Sequence, residues 1–239
     1  MCEEQGYQLE IRTSPNGVHL GSYGFGAGLS KKERWSVVDL SFVFAMWVVM
    51  MVAMMIPSAV PTILVYSQMK RKLDANRNPL TSTAFFILGY LAVWAAFSLI
   101  ATLAQWGLFR SAQLSSRMGH VGPLPGGGVL LVAGIYQWTS LKYTCLGRCR
   151  TPVSFLLSDW KEGIVGTFVM GLGHGWFCAL CCWGLMALMF VAGVMNVLWM
   201  ALLAAFVLIE KIAPGGDWLG RLVGVLLGVW GIWLLVVAL

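Results

Sequence analysis

The stretch GIVGTFVMGLGHGWFCALCCWGLMALMFV, residues 163–191, decides the fold class. It contains no charged residue, and at 1.5 Å per residue it would form a helix of about 43 Å. That length exceeds the roughly 30 Å hydrocarbon core of a bilayer, so the stretch predicts a transmembrane helix. Its first part is rich in glycine, which disfavours straight helix. We therefore expect 163–173 to bend or to lie partly in the membrane interface, with the span beginning near His174.

The composition of the whole chain is typical of a membrane protein. Its 239 residues are 59% hydrophobic and 11% charged, with a mean hydropathy of +0.78, whereas soluble domains carry about 25% charged residues. The net charge of +6 comes from Lys and Arg at the ends of apolar runs, which indicates membrane topology and not a nucleic-acid partner. The acidic start of the chain does not have the pattern of a cleavable signal peptide.

Six apolar segments predict an all-α bundle of about six transmembrane helices in contact with the lipid bilayer. They lie at about 38–65, 83–109, 129–146, 163–191, 194–212 and 218–239. We expect a polar tail at 1–34 and a transmembrane domain at 35–239. Lys and Arg are more frequent in the loops after the first, third and fifth segments, which predicts that these loops are cytoplasmic. The expected location is the inner (plasma) membrane, with both termini outside the cytoplasm.

A histidine and three cysteines fall on one stripe of the fourth segment. Cys178 follows His174 by four residues, and Cys181 and Cys182 follow it by seven and eight, which is the spacing of one helix face. Imidazole and thiolate are ligands that Cu(I) and Zn(II) prefer, and four of them complete a tetrahedral site. The same residues have two other interpretations: buried cysteine is an ordinary small apolar residue, and the Cys178–Cys181 spacing is that of a redox dithiol.

The third segment supplies a second pair of thiols. Cys145 and Cys149 are four residues apart and share a helix face, with Lys142 three residues before them. If the fourth span begins near His174, both groups of thiols lie at one depth and can form one site. The predicted metal ligands are Cys145, Cys149, His174, Cys178, Cys181 and Cys182.

Two charged residues could support such a site. Glu210 would reach the same depth on the fifth segment, as a ligand, as a hydrogen-bond partner of the histidine, or in an ion pair with Lys142 or an arginine. Lys142 is an ionisable residue in a membrane segment and hence a functional candidate, unless its side chain extends to the interface.

Four methionines of the first segment are weaker candidates. Met51 and Met55 belong to this group, which forms two pairs at helical spacing. Thioethers suit Cu(I) and poorly suit Zn(II), although packing is the more common role of a buried methionine. In the sixth segment, the glycines Gly220, Gly224 and Gly228 predict a face for close helix packing.

The chain resembles a bacterial family of predicted metal-binding integral membrane proteins of uncharacterised function. The matching stretches are AMMIPSAVP (53–61), IYQWTSLKYTCLGRCRTPVSF (135–155), HGWFCALCCWGLMALMFVAGVMN (174–196) and IEK (209–211). The resemblance implies a multi-pass membrane protein whose Cys and His residues bind metal. Members often carry basic residues just before the histidine, where this chain has the uncharged TFVMGLG (167–173), a run less suited to the membrane interface.

Three functions are compatible with these residues. The first is metal handling, in which a soft ion, Cu(I) or Zn(II), is bound by the Cys and His cluster and exchanged with a donor or acceptor protein. The second is a thiol–disulfide oxidoreductase that cycles Cys178 and Cys181, with Cys145 and Cys149 as its partner dithiol. The third is a scaffold or assembly protein whose cysteines only pack. We favour metal handling, since no catalytic carboxylate pair, nucleotide loop or serine triad indicates an enzyme.

Overall fold

Helices make up the secondary structure of the described residues, which include no strand. The computed structural model describes residues 36–73, 79–111, 121–194, 196–213 and 215–238. The helices are α1 (Val37–Leu73), α2 (Pro79–Arg110), α3 (Pro123–Tyr136), α4 (Ser140–Arg150), α5 (Pro152–Ser158), α6 (Gly163–Ala187), α7 (Met189–Ala192), α8 (Val197–Ile212) and α9 (Gly216–Ala238). The predicted tail, 1–34, lies outside the described residues. The all-α fold class is therefore confirmed for the part of the chain that is described.

Four helical stretches are long and apolar enough to cross a membrane, which is consistent with a membrane protein. They are Val37–Leu73, Leu80–Arg110, Gly163–Ala192 and Gly216–Ala238. These stretches correspond to the first, second, fourth and sixth predicted segments. The other two predicted segments form shorter helices, since α3 has 14 residues and α8 has 16, fewer than the roughly 20 that a straight span requires.

The third predicted segment, 129–146, is not one helix, so this prediction was wrong. α3 ends at Tyr136 and α4 begins at Ser140. Between them, Thr139 caps α4, because its side-chain oxygen accepts a hydrogen bond from the backbone N–H of Lys142. Threonine is among the preferred residues for this position. As a separate short helix, α4 packs against α6 and α8 and places the second pair of thiols in the core.

The glycine-rich start of α6, where we expected a bend or a position partly in the membrane interface, is helical. The helix is continuous from Gly163 to Ala187, and its glycines serve close packing against α2. A Cβ on Gly171 would collide with the backbone carbonyl of Phe86, and one on Gly89 of α2 would collide with the carbonyl of Phe168. Small residues permit such approach of helix backbones, and this packing outweighs the low helix propensity of glycine.

Glycines of α9 provide a second close interface. A Cβ on Gly224 would lie 2.8 Å from Cβ of Gln137, and one on Gly134 of α3 would lie 2.8 Å from the carbonyl oxygen of Gly224. Gly220 faces a pair of buried charges that is described below. A Cβ on Gly228, by contrast, meets nothing within 4 Å. The backbone of Gly228 nevertheless lies close to α3, since a Cβ on Gly134 would be 3.0 Å from its nitrogen, so all three glycines lie on the packed side of α9.

Candidate metal centre

Thiols of two helices meet in the core. Cys178, Cys181 and Cys182 of α6 are each at most 2% exposed, and Cys149 of α4 is also buried. Cys149 and Cys181, on two different helices, are close enough for their thiols to interact, and Cys145 lies within electrostatic range of Cys181. The structure thus brings the cysteines of α4 to those of α6. All five described cysteines carry free thiols.

The three thiols of α6 differ in their surroundings. The Sγ atoms of Cys181 and Cys182 donate to the backbone carbonyl of Cys178, at 3.1 Å and 2.9 Å. The Sγ atom of Cys178 instead lies 3.3 Å from the hydroxyl of Tyr90 and 3.0 Å from the ammonium of Lys211, which donates to it. Cys178 is therefore the thiol that is surrounded by polar groups of other helices.

Lys211 is the part of this site that the sequence analysis missed. Its side chain extends from α8 into the core, is 8% exposed, and also donates to Ser58 Oγ at 3.0 Å. An ionisable residue in an apolar segment is a functional candidate by default, so the sequence carried a signal for Lys211. No such signal distinguishes Ser58 or Tyr90, because both residue types are ordinary in apolar helices.

His174 lies in an aromatic pocket one helical turn before Cys178. Its imidazole contacts the rings of Phe86, Tyr90 and Phe155, with centroid distances of 6.1, 5.7 and 5.7 Å. The residue is 2% exposed, and its Nε2 atom has no hydrogen-bond partner. A buried polar atom without a partner costs about 1–3 kcal/mol. A ring nitrogen of neutral imidazole is also a common metal donor, so this orphaned atom fits a ligand role.

Glu210 and Lys142 form a buried ion pair that is separate from the hydrogen bonds of the thiols. The ammonium of Lys142 contacts the carboxylate of Glu210 and the side-chain oxygen of Gln137, and both charged side chains are at most 3% exposed. The backbone carbonyl of Glu210 accepts from Arg150 Nε at 3.1 Å. The side chain of Lys142 thus does not extend to the interface. Of the predicted alternatives for Glu210, the structure contains the ion pair, which joins α4 to α8.

Met51 and Met55 belong to the same buried core cluster as the cysteines, and both are 0% exposed. The backbone carbonyl of Met55 accepts hydrogen bonds from Tyr90 Oη at 3.2 Å and from Ser58 Oγ at 2.9 Å. The first bond connects α2 to α1, and the second holds the Ser58 hydroxyl, the group that also contacts Lys211, within α1. The thioethers therefore line the core beside the thiols.

The thiols are close together but are not arranged as a finished metal site. Within the described part of the chain, no group of three or more His, Cys, Asp or Glu side chains is placed to hold a metal ion. One reason is that Cys181 and Cys182 direct their S–H groups to a backbone carbonyl. The sulfurs of these two residues thus lie against the backbone of their own helix.

The cysteines of α4, which lies outside the four membrane-length stretches, carry their protons at neutral pH. Burial raises the pKa of the Cys145 thiol. The hydrogen bond with Cys181, together with burial, raises the pKa of Cys149 well above its usual range. Thiolate and not thiol is the metal ligand. A soft metal ion must therefore displace a proton from each of these residues that it binds.

The fold and the core define a class of protein: an all-α bundle with four helices of membrane-spanning length and a buried group of cysteines beside a histidine. Residues 44–234 match the PpoB2 family, whose description is copper chaperone, and the chain belongs to this family. Copper handling is thus supported, and zinc is not. No curated protein and no solved structure matches the chain.

Proposed function

We propose that this protein is a multi-pass membrane copper chaperone that carries Cu(I) among the thiols of Cys149, Cys178, Cys181 and Cys182, with His174 as a further donor. The contact between the thiols of Cys149 and Cys181, on two different helices, carries this proposal. Thiolate and imidazole are donors that suit Cu(I). The family description supports copper as the cargo.

The residues would act on the ion in distinct ways. Cys178 and a second cysteine would bind Cu(I) as thiolates, with the thiol protons released on binding. The free Nε2 atom of His174 would provide a further donor without first having to break a hydrogen bond. Cys145, Met51 and Met55 adjoin this set in the same core cluster. Neighbouring sulfur donors of this kind would permit ligand exchange, by which the protein would receive the ion from a donor protein or pass it to an acceptor protein.

The proposal includes an arrangement in the membrane. In it, residues 35–239 form the membrane domain, α3 and α8 complete a bundle of six crossings in the plasma membrane, and both termini lie outside the cytoplasm. The apolar composition of these two shorter helices and the Lys and Arg of the intervening loops support it. Reporter fusions at residue 75 and at the C-terminus test it, since we expect a cytoplasmic signal at the first position and a periplasmic signal at the second.

Copper analysis of the purified protein tests the cargo and its ligands. We expect wild-type protein loaded with Cu(I) to retain it in the presence of a competing chelator and to show sulfur ligands by X-ray absorption. Replacing Cys149, Cys178 or Cys181 by serine should lower the Cu(I) affinity by at least about tenfold, as loss of a ligand interaction does. Cys2→Ser is the matched control and should retain the wild-type affinity. Wild-type protein that stays copper-free after loading contradicts the proposal.

A further inference from the structure

We propose that Lys211 is the counter-ion of the copper site and that its charge selects which metal complex the core accepts. In this inference, which rests on the proposed function, the ammonium of Lys211 balances one net negative charge. Cu(I) held by two thiolates, one of them Cys178, has that charge. Lys211 is then a residue that determines specificity, without itself touching the metal.

The geometry of Lys211 differs from that of Lys142, another buried lysine. Lys142 contacts the carboxylate of Glu210, whereas the ammonium of Lys211 lies 3.0 Å from Cys178 Sγ and 3.0 Å from Ser58 Oγ. None of the described carboxylates forms an ion pair with Lys211. Sulfur therefore occupies the place beside Lys211 that a carboxylate occupies beside Lys142.

A buried ammonium without an opposite charge is strongly unfavourable. Lys211 is 8% exposed, so solvent offers it little compensation. The serine hydroxyl is a dipole and carries no net charge, which leaves the sulfur of Cys178 as the contacting atom that can become an anion. A complex that places negative charge on this sulfur would therefore lie 3.0 Å from the ammonium and balance it.

The charge balance of the complex then discriminates between metals. Cu(I) bound by Cys178 and a second cysteine as thiolates forms a complex with one net negative charge, and the protons of the two thiols are released to water. The ammonium of Lys211 brings the total to zero. Zn(II) with the same two thiolates and a neutral imidazole is already uncharged, so the lysine would leave one positive charge buried, at high cost.

The test compares two variants of Lys211. Lys211→Met removes the charge at similar size, and Lys211→Arg keeps the charge. The control is Lys72→Met, at the exposed end of α1. Cu(I) and Zn(II) affinities are measured separately by chelator competition on the full chain in detergent. We expect Lys211→Met to bind Cu(I) at least about tenfold more weakly, with unchanged or tighter Zn(II) binding, and Lys211→Arg to keep the preference for Cu(I). X-ray absorption of the wild type should show two sulfur ligands at copper.

The outcomes separate this inference from the proposed function. Wild-type protein that binds no Cu(I) overturns both. Wild-type protein that binds Cu(I) while Lys211→Met keeps both affinities, or loses Cu(I) and Zn(II) binding to the same extent, overturns the counter-ion role alone. If Lys211→Met does not fold, Lys211→Arg decides, because loss of the Cu(I) preference in a folded protein that retains the charge contradicts the inference.

Discussion

The imidazole of His174 stacks on the ring of Tyr90, with centroids 5.7 Å apart and planes inclined by 29°. The hydroxyl of the same tyrosine lies 3.3 Å from Cys178 Sγ and donates to the backbone carbonyl of Met55. Tyr90 therefore contacts both the histidine and the first cysteine of the α6 stripe, and its hydrogen bond to Met55 links this region to α1. The pocket orients the imidazole by ring packing, since its Nε2 atom has no hydrogen-bond partner.

Replacing His174 by leucine should separate stability from copper binding. Leucine has a similar volume, and the change removes a buried nitrogen that has no partner. We therefore expect the copper-free variant to be as stable as the wild type, or more stable by about 1 kcal/mol. Stabilisation by Cu(I) should fall, because a donor is lost. Thermal unfolding with and without Cu(I) checks both effects, and strong destabilisation of the copper-free variant would show that the imidazole has a structural polar partner.

Two glycines of α9 should respond oppositely to alanine. A Cβ on Gly220 would overlap the carboxylate of Glu210 and lie 3.2 Å from Lys142 Nζ. We expect Gly220→Ala to lower the free energy of unfolding by about 1–3 kcal/mol, as overpacking does. A Cβ on Gly228 meets nothing within 4 Å, so Gly228→Ala should be neutral or stabilise by up to about 1 kcal/mol through helix propensity. Denaturant titration in micelles measures both, and equal effects would contradict the packing around the ion pair.

Breaking the buried ion pair should be costly, and removing both charges should be tolerated. Glu210→Gln leaves the ammonium of Lys142 buried without a counter-charge, so we expect a loss of about 3–5 kcal/mol in unfolding free energy. The double variant Lys142→Met with Glu210→Leu should recover most of that loss. The matched control is the exposed pair of Arg148 and Asp159, 3.7 Å apart with both side chains about half exposed.

In this control, Asp159→Asn should change the unfolding free energy by no more than about 1 kcal/mol, because water screens exposed pairs. If the double variant is as unstable as Glu210→Gln alone, the loss of unfolding free energy in Glu210→Gln does not arise from the unpaired charge of Lys142. All variants are compared by the same denaturant titration.

Cu(I) affinity should fall as the pH is lowered. The pKa of Cys149 is raised by its hydrogen bond with Cys181 and by burial, and burial raises the pKa of Cys145. Below these raised values the thiols are protonated in the copper-free protein, so each bound thiolate requires release of a proton. We expect about a tenfold loss of apparent affinity per pH unit for each proton released. Chelator competition between about pH 6 and 8 measures the slope, and Cys149→Ser should reduce it if Cys149 binds. A flat profile contradicts this prediction.

The membrane-length helices and the soft ligands are readable from residue types and local spacing. Long uncharged runs such as 163–191 cannot leave their backbone polar groups unpaired in lipid, so they become helices whatever their neighbours are. Periodicity also puts His174, Cys178 and Cys181 on one face of α6. The break at Gln137–Thr139 was harder to predict, because a threonine cap within an apolar run is a weak local signal.

What the sequence determined by itself is the all-α class and the stripe of His and Cys residues that makes α6 a candidate site, because both follow from composition and from spacing along a single helix. Only the tertiary structure decided which groups meet. Glycines let α6 pack closely against α2, the capped helix α4 places Cys149 beside Cys181, and α8 carries Glu210 to Lys142 and Lys211 to Cys178. These contacts join residues distant in the chain, and they are set by how helix surfaces and buried charges fit together, which no local pattern specifies.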